Sequence, residues 1–340
     1  MNALFDDPFH AKISPIEENI KRPLWTVIIP TYNCAHFLKE TIESVLIQNL
    51  GPELMQIIVV DDYSTKDDPE FVVRKYGNNR IQFIRQQKNV GKADNYAVGL
   101  HHSLGHFIHI LHGDDIVLPG FYNEMELLFK DYPVISAGFC QSNYINENGD
   151  IIGNTGLERT NNGILENWIN TISVSQRIQP PSIVIKREVY EQLGGYDNRL
   201  KYFEDWEMYT RIANYYSFGF HPSILAAYRV HQNSSSQTSI RKGERIKTLK
   251  LVINIIAGYL PKSVLIRIKK PRNQAQAQYL IQYIPQIIYL KDIDAYFSII
   301  SRVILFSFSL RSIYYIYYFS IHWKKLFNGI KLKNDKNNNL

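Results

Sequence analysis

Leu24-Trp25-Thr26-Val27-Ile28-Ile29-Pro30 is an uncharged run of strand length that stops at Thr31-Tyr32-Asn33. A run of this kind suits a strand covered on both faces, because a strand with one wet face would alternate apolar and polar residues. Phe37 to Gln48 then sets Phe37, Leu38, Ile42, Val45 and Leu46 on one helical face, and Gln56-Ile57-Ile58-Val59-Val60 supplies a second strand ending at Asp61-Asp62. Strand, helix and strand at this separation form a right-handed crossover, so the two strands are expected to be parallel neighbours. Further strands are expected at Ile81 to Arg85 and His106 to Leu111, with a helix over Lys92 to Ser103. The alternation predicts an α/β fold with a mainly parallel sheet between helical layers.

In such sheets ligands gather beyond the C-terminal ends of the strands. Three of these ends carry polar or carboxylate groups: Pro30-Thr31-Tyr32-Asn33, Asp61-Asp62-Tyr63-Ser64 and His112-Gly113-Asp114-Asp115. Buried strand-end aspartates need cations or hydrogen-bond donors. Asp114 and Asp115 suit Mg²⁺ or Mn²⁺ beside a diphosphate, although an Asp-rich turn ended by Pro119 gives the same pattern.

The 340 residues suffice for one large or two modest domains. Two cysteines, Cys34 and Cys140, cannot build a disulfide framework or a Cys-rich zinc site, and their scarcity fits a reducing compartment. With 38 basic and 32 acidic residues the net charge of +6 favours anionic partners without naming one. Asp6, Asp7, Glu17 and Glu18 precede the first apolar run, which is not signal-peptide chemistry, so a cytoplasmic protein is expected. The apolar stretch Ile299 to Trp323 is broken by Arg302 and Arg311, and neither piece is long enough to span a bilayer.

Residues 1–22 are expected to be an extension and 23–130 the first half of the α/β unit. Residues 131–240 look less regular, with a strand at Ile183-Val184-Ile185 and the turn Gly194-Gly195, and are expected to form a second lobe on the same sheet. Residues 241–330 turn helical, basic and rich in Tyr, Ile and Phe, and 331–340 form a solvated tail expected to be disordered.

Taken in order, Val27 to Asn33, Val59-Val60-Asp61-Asp62-Tyr63-Ser64, Asn89-Val90-Gly91, His112-Gly113-Asp114-Asp115 with Pro119, and Phe203-Glu204-Asp205-Trp206 resemble the inverting family 2 glycosyltransferases of the GT-A fold. The resemblance spans roughly residues 24 to 235 and makes 23–240 the catalytic domain. It implies nucleotide-sugar contacts from Pro30, Tyr32, Asn33, Asp62, Gly91, Lys92, His112 and Asp114. Tyr32 can stack on a uracil or thymine while Asp62 accepts its N–H, Gly91 lets backbone approach, and Lys92 offers charge to phosphate. The metal motif of the family is typically Asp-x-Asp, and His112 stands in its first position. Asp114 matches the second and Asp115 adjoins it, while His112 is open to contact with ribose, soft ligation of metal or a plain strand-end role. Asp205 matches the base that deprotonates the acceptor, and Glu204 beside it can raise its pKa. His231, in Tyr228-Arg229-Val230-His231, either completes the metal or diphosphate site or is a structural loop histidine.

The resemblance implies a metal-dependent transfer, with Mn²⁺ or Mg²⁺, from a UDP- or dTDP-sugar to a hydroxyl acceptor in surface polysaccharide or glycolipid assembly. The alternative is a non-catalytic nucleotide-sugar binder with a degenerate metal motif. A sugar-1-phosphate nucleotidyltransferase would need a Gly-rich loop after the first strand, and Pro30-Thr31-Tyr32-Asn33 is none. Nucleic acid is not expected as a partner, because the sheet rim is acidic. Residues 285–327 are expected either to lie on an anionic membrane surface, near a lipid-linked acceptor, or to pack on the catalytic lobe or a second subunit.

Overall fold

The computed structural model describes residues 7–231, 234, 244–281 and 317. Its first half follows the expected order: β1 (Trp25–Thr31), α1 (Ala35–Leu46), β2 (Met55–Asp61), α2 (Pro69–Tyr76), β3 (Ile81–Arg85), α3 (Lys92–His102) and β4 (Phe107–Ile110). Helix α2 has no counterpart in the apolar pattern. Its start is set instead by local chemistry, since Asp68 accepts the Phe71 N–H at 3.0 Å and Pro69 occupies the first turn.

A two-residue β5 (Ile116–Val117) and α4 (Phe121–Asp131) follow, neither of them foreseen. Next come β6 (Ile135–Ile145), β7 (Ile151–Asn154), β8 (Gly163–Ile164), α5 (Ile169–Ile172), β9 (Ile183–Lys186), α6 (Arg187–Leu193), α7 (Glu204–Tyr215) and β10 (Ser217–Arg229). The middle region is therefore not irregular, since β6 and β10 are the two longest strands described, at 11 and 13 residues. Polar residues such as Gln141, Ser142 and His221 hide them from an apolar count. Helices α8 (Glu244–Tyr259) and α9 (Lys262–Ile281) complete the described chain.

All the strands join one sheet in the order β3-β2-β1-β4-β9-β6-β10-β5, with β7 on β6 and β8 on β10. The first four are mutually parallel, β9 runs antiparallel between β4 and β6, and β6 pairs parallel with β10. The second region thus extends the sheet of the first. Chain order reverses direction across β1, where β2 lies on one side and β4 on the other, which opens a crevice at the strand ends.

Strand periodicity divides the core into two layers. Ile28, Ile58, Val60 and Ile108 face α3, α6, α7, α8 and α9, while Val27, Ile29, Ile57 and Val59 face α1 and α4. Gly138 and Gly219 sit opposite each other on β6 and β10. A Cβ on Gly219 would fall 2.5 Å from Ile135 Cδ1, and one on Gly138 would fall 3.0 Å from Leu128 Cδ2, so α4 can pack here only on bare backbone. No helix among the described residues is long and apolar enough to cross a membrane. The stretches 285–327 and 331–340, on which a membrane role and a disordered tail were expected, lie outside the described residues apart from Tyr317.

Candidate active site

The ends of β1, β2 and β4 are tied together by backbone. The Asp62 N–H donates to Thr31 O at 3.0 Å and the Gly113 N–H to Pro30 O at 3.0 Å, so Pro30 serves through its carbonyl. Asn33 adopts a left-handed φ of 52° and acts as a staple. Its N–H donates to Ser64 Oγ at 2.8 Å while its Oδ1 accepts the N–H groups of Thr65 and Lys66 at 3.0 Å. Tyr32 beside it is 48% exposed, its ring open to a ligand at the strand end.

Asp62 is buried, and its two carboxylate oxygens accept the N–H of Val90 at 2.7 Å and of Gly91 at 3.0 Å. Burial raises its pKa, and these two bonds oppose the shift. Each oxygen retains a second lone pair for a further donor. Gly91 has φ +89° and open space where a Cβ would stand, so the conformation rather than crowding calls for glycine. Lys92 opens α3 but forms an ion pair with the buried carboxylate of Glu204. About a third of its side chain remains in solvent.

Beyond β4, ligand atoms of His112, Asp114 and Asp115 lie within 4.8 Å of one another. The carboxylate of Asp114 accepts from His231 Nε2 at 3.0 Å. Burial opposes its charge, but that bond and the His112 and His231 rings outweigh it, and its pKa falls below the usual range. Asp115 moves the other way, well upward, through burial and then the charge of Asp114. One of its oxygens accepts the Arg229 N–H at 2.8 Å, while the other, Oδ2, is buried without a hydrogen-bond partner. The Nε2 of His112 meets the Tyr96 hydroxyl at 2.8 Å, its ring stacks on Tyr96, and its Nδ1 lies 3.6 Å from Asp115 Oδ2. Burial lowers the His112 pKa, favouring the neutral ring that ligates metal.

Asp205 lies half-buried in the first turn of α7. The turn is entered through Phe203 at a left-handed φ of 66°, and the Trp206 indole N–H fixes it to Ile172 O at 2.6 Å. Glu204 is raised by its own burial, with Lys92 opposing and Asp205 adding to the shift. Asp114, Asp205 and Glu204 all act on the buried Tyr96 hydroxyl, whose pKa is raised well above its ordinary value first by burial and then by these charges. Asp114 and Asp205 likewise both act on His112. The cluster after β4 and the start of α7 are joined through α3, whose Tyr96 meets His112 and whose Lys92 pairs with Glu204, and they flank the crevice at the strand ends.

Two residues given no role from sequence help build this cleft. Tyr96 supports His112. Arg229 is fully buried, donating from Nε to Asp114 O at 2.8 Å and from Nη1 to Asn146 O and Glu147 O at 3.2 Å, and pairing with Glu40 at 2.5 Å. Its sequence signal is a lone cation after Ile224-Leu225-Ala226-Ala227-Tyr228. Cys34 is no candidate nucleophile, because burial and the Asp114 charge push its thiol up to about 12.

Comparison with known proteins places this site in context. The chain is 28% identical over 225 residues to an uncharacterized glycosyltransferase of Methanocaldococcus jannaschii, covering 65% of this chain and 76% of that one. It is 35% identical over 112 residues to the minor teichoic acid biosynthesis protein GgaB of Bacillus subtilis, covering 32% and 12%. The fold matches that of S. aureus TarS 1-349 in complex with UDP, with TM-score 0.56, 17% identity and 81% and 89% of the two chains covered. It also matches mannosyltransferase PcManGT from Pyrobaculum calidifontis in complex with GDP-Man and Mn²⁺, with TM-score 0.56, 18% identity and 93% and 83% covered. The sequence model of glycosyl transferase family 2 matches residues 26–194, which contain every expected site residue except Glu204, Asp205 and His231. With the GT-A fold around that segment, residues 26–194 form a glycosyl transferase family 2 domain.

Proposed function

We propose that this enzyme moves a sugar from a nucleoside diphosphate donor to a hydroxyl acceptor with inversion at the anomeric carbon. The observation that carries this reading is that α3 ties the two carboxylate groups together, its Tyr96 meeting His112 of the cluster after β4 and its Lys92 pairing with Glu204 beside Asp205. Tyr32 and Asp62 receive the nucleobase, and the further lone pairs on Asp62 suit the ring N–H of uracil or thymine, which favours UDP or dTDP. The Asp205 carboxylate takes the proton of the acceptor hydroxyl as its oxygen bonds to the anomeric carbon, and the bond to the diphosphate breaks with its electron pair leaving on phosphate oxygen. Asn33, Gly91 and Arg229 hold the loops that frame this path.

The donor set fits a divalent cation. A charged carboxylate, a neutral imidazole held from behind by Tyr96, and the orphaned Oδ2 of Asp115 converge, with His231 fixing Asp114. Imidazole beside carboxylate favours Mn²⁺ over Mg²⁺. When bound, such an ion supplies positive charge for the departing diphosphate. The similarity to a teichoic acid biosynthesis protein supports an acceptor in surface-polymer assembly.

Nucleotide release across a panel of sugar nucleotides, with and without Mn²⁺, identifies the donor. Asp205→Asn is expected to lower kcat at least ~100-fold while donor affinity stays within about twofold, since the base acts on the acceptor. A kcat close to wild type would remove Asp205 from its role.

A further inference from the structure

From Arg245 to Ile281 the chain carries eight lysines and arginines and no aspartate or glutamate. On α9 the exposed cations are ordered. Lys262, Ile266, Lys269 and Lys270 follow one another at steps of four, three and one residues, which puts them on one side of the helix. Ile266 in their midst is 79% exposed, whereas Ile268 on the opposite side is 1% exposed and belongs to the core. Among the described residues Lys262, Lys269 and Lys270 enter no ion pair, and Arg267 at the edge of the stripe makes one 3.3 Å hydrogen bond to Asn170. An ordinary solvated helix face interleaves both signs of charge. This one repels itself, and an apolar side chain stands at its centre.

We infer that this outward face of α9 docks on an anionic lipid surface. Lysines at such a surface meet headgroup phosphates, and the isoleucine between them can enter the boundary of the acyl chains. A nucleic acid would use the cations but give Ile266 no contact, and the stripe presents no aromatic ring on which a base could stack. The inner side of α9 reaches the start of the helix carrying Asp205, where Tyr279 and Phe203 lie 5.9 Å apart between ring centroids. Docking therefore holds the helix carrying Asp205 one helix away from the lipid. The surface is separate from the cleft and its docking does not depend on the transfer chemistry.

The test uses the full chain and sedimentation with vesicles of equal phosphatidylglycerol and phosphatidylcholine, against vesicles of phosphatidylcholine alone. The wild type should pellet with the anionic vesicles only, and release as salt is raised. Each lysine near such a surface contributes about fivefold to partitioning, so Lys262→Gln/Lys269→Gln/Lys270→Gln should bind on the order of 100-fold more weakly. The triple Lys→Arg variant should bind like wild type, and both variants should keep donor turnover, which certifies the fold. Equal partitioning of the Gln variant and wild type overturns the inference, because other segments would then hold the lipid. So does a wild type that ignores anionic vesicles, or one that binds single-stranded oligonucleotides instead.

Discussion

Asp114 and Asp115 are neighbours in one turn, yet their surroundings give them different work. Asp114 is held below the usual carboxylate range despite burial, by His231 and His112, and so presents a full charge. Asp115 is pushed well upward by burial and by Asp114, and one of its oxygens is spent on the Arg229 N–H. Hard cations prefer charged oxygen, so Asp114→Ala should weaken Mn²⁺-dependent UDP binding by ~10-fold or more, and His112→Ala by less. Calorimetry with both variants checks the order, and a larger effect at His112 would make the imidazole the principal ligand. Tyr96→Phe should resemble a mild His112 variant, because it removes only the hydroxyl that steadies the ring.

At the scale of elements, α3 and α7 meet through Lys92 and Glu204, and the pair links the nucleotide turn to the helix carrying Asp205. Asp62 grips the amides of Val90 and Gly91, and the next residue grips Glu204, so the two halves of the cleft are mechanically continuous. The partners are unequal in exposure, with 35% of the Lys92 side chain in solvent against 3% for Glu204. Removing the lysine strands a buried carboxylate, whereas removing the carboxylate lets the lysine rehydrate. Lys92→Met should therefore cost about 3 kcal/mol and Glu204→Gln about 1 kcal/mol or less in urea unfolding at neutral pH. The reverse order would mean that Glu204 has other support. In activity, Glu204→Gln should reduce kcat with little change in donor KM, and Lys92→Arg should behave close to wild type.

For the whole molecule, His109 couples stability to acidity. It lies fully buried in β4 between the Tyr122 hydroxyl at 3.1 Å and Pro181 O at 3.0 Å, and burial lowers its pKa to about 3. The folded protein refuses a proton that the unfolded chain accepts near 6.5, so stability is complete above that pH and declines as the pH falls toward about 3. The full window is worth up to roughly 5 kcal/mol, and His109→Gln should flatten the decline between pH 6.5 and 5 in urea titrations. The first half of this sheet was legible in the sequence because its inner strands β1 and β2 are apolar on both sides and each crossover has a fixed hand. The same runs ended on polar residues that the structure gathers at the strand ends, so the positions of Tyr32, Asp62 and Asp114 could be named without coordinates, while Asp205 was picked out by the family pattern alone. The long β6 and β10 were not legible, since their burial comes from partners far along the chain and not from their own composition. Sequence also determined which groups could ligate, stack or take a proton. Tertiary structure alone decided how they are engaged: Lys92 held by Glu204, Asp115 turned half inward, Tyr96 behind His112 and Arg229 spanning the turn. Pairings of that kind join segments from 16 to more than a hundred residues apart, and local spacing carries no record of them.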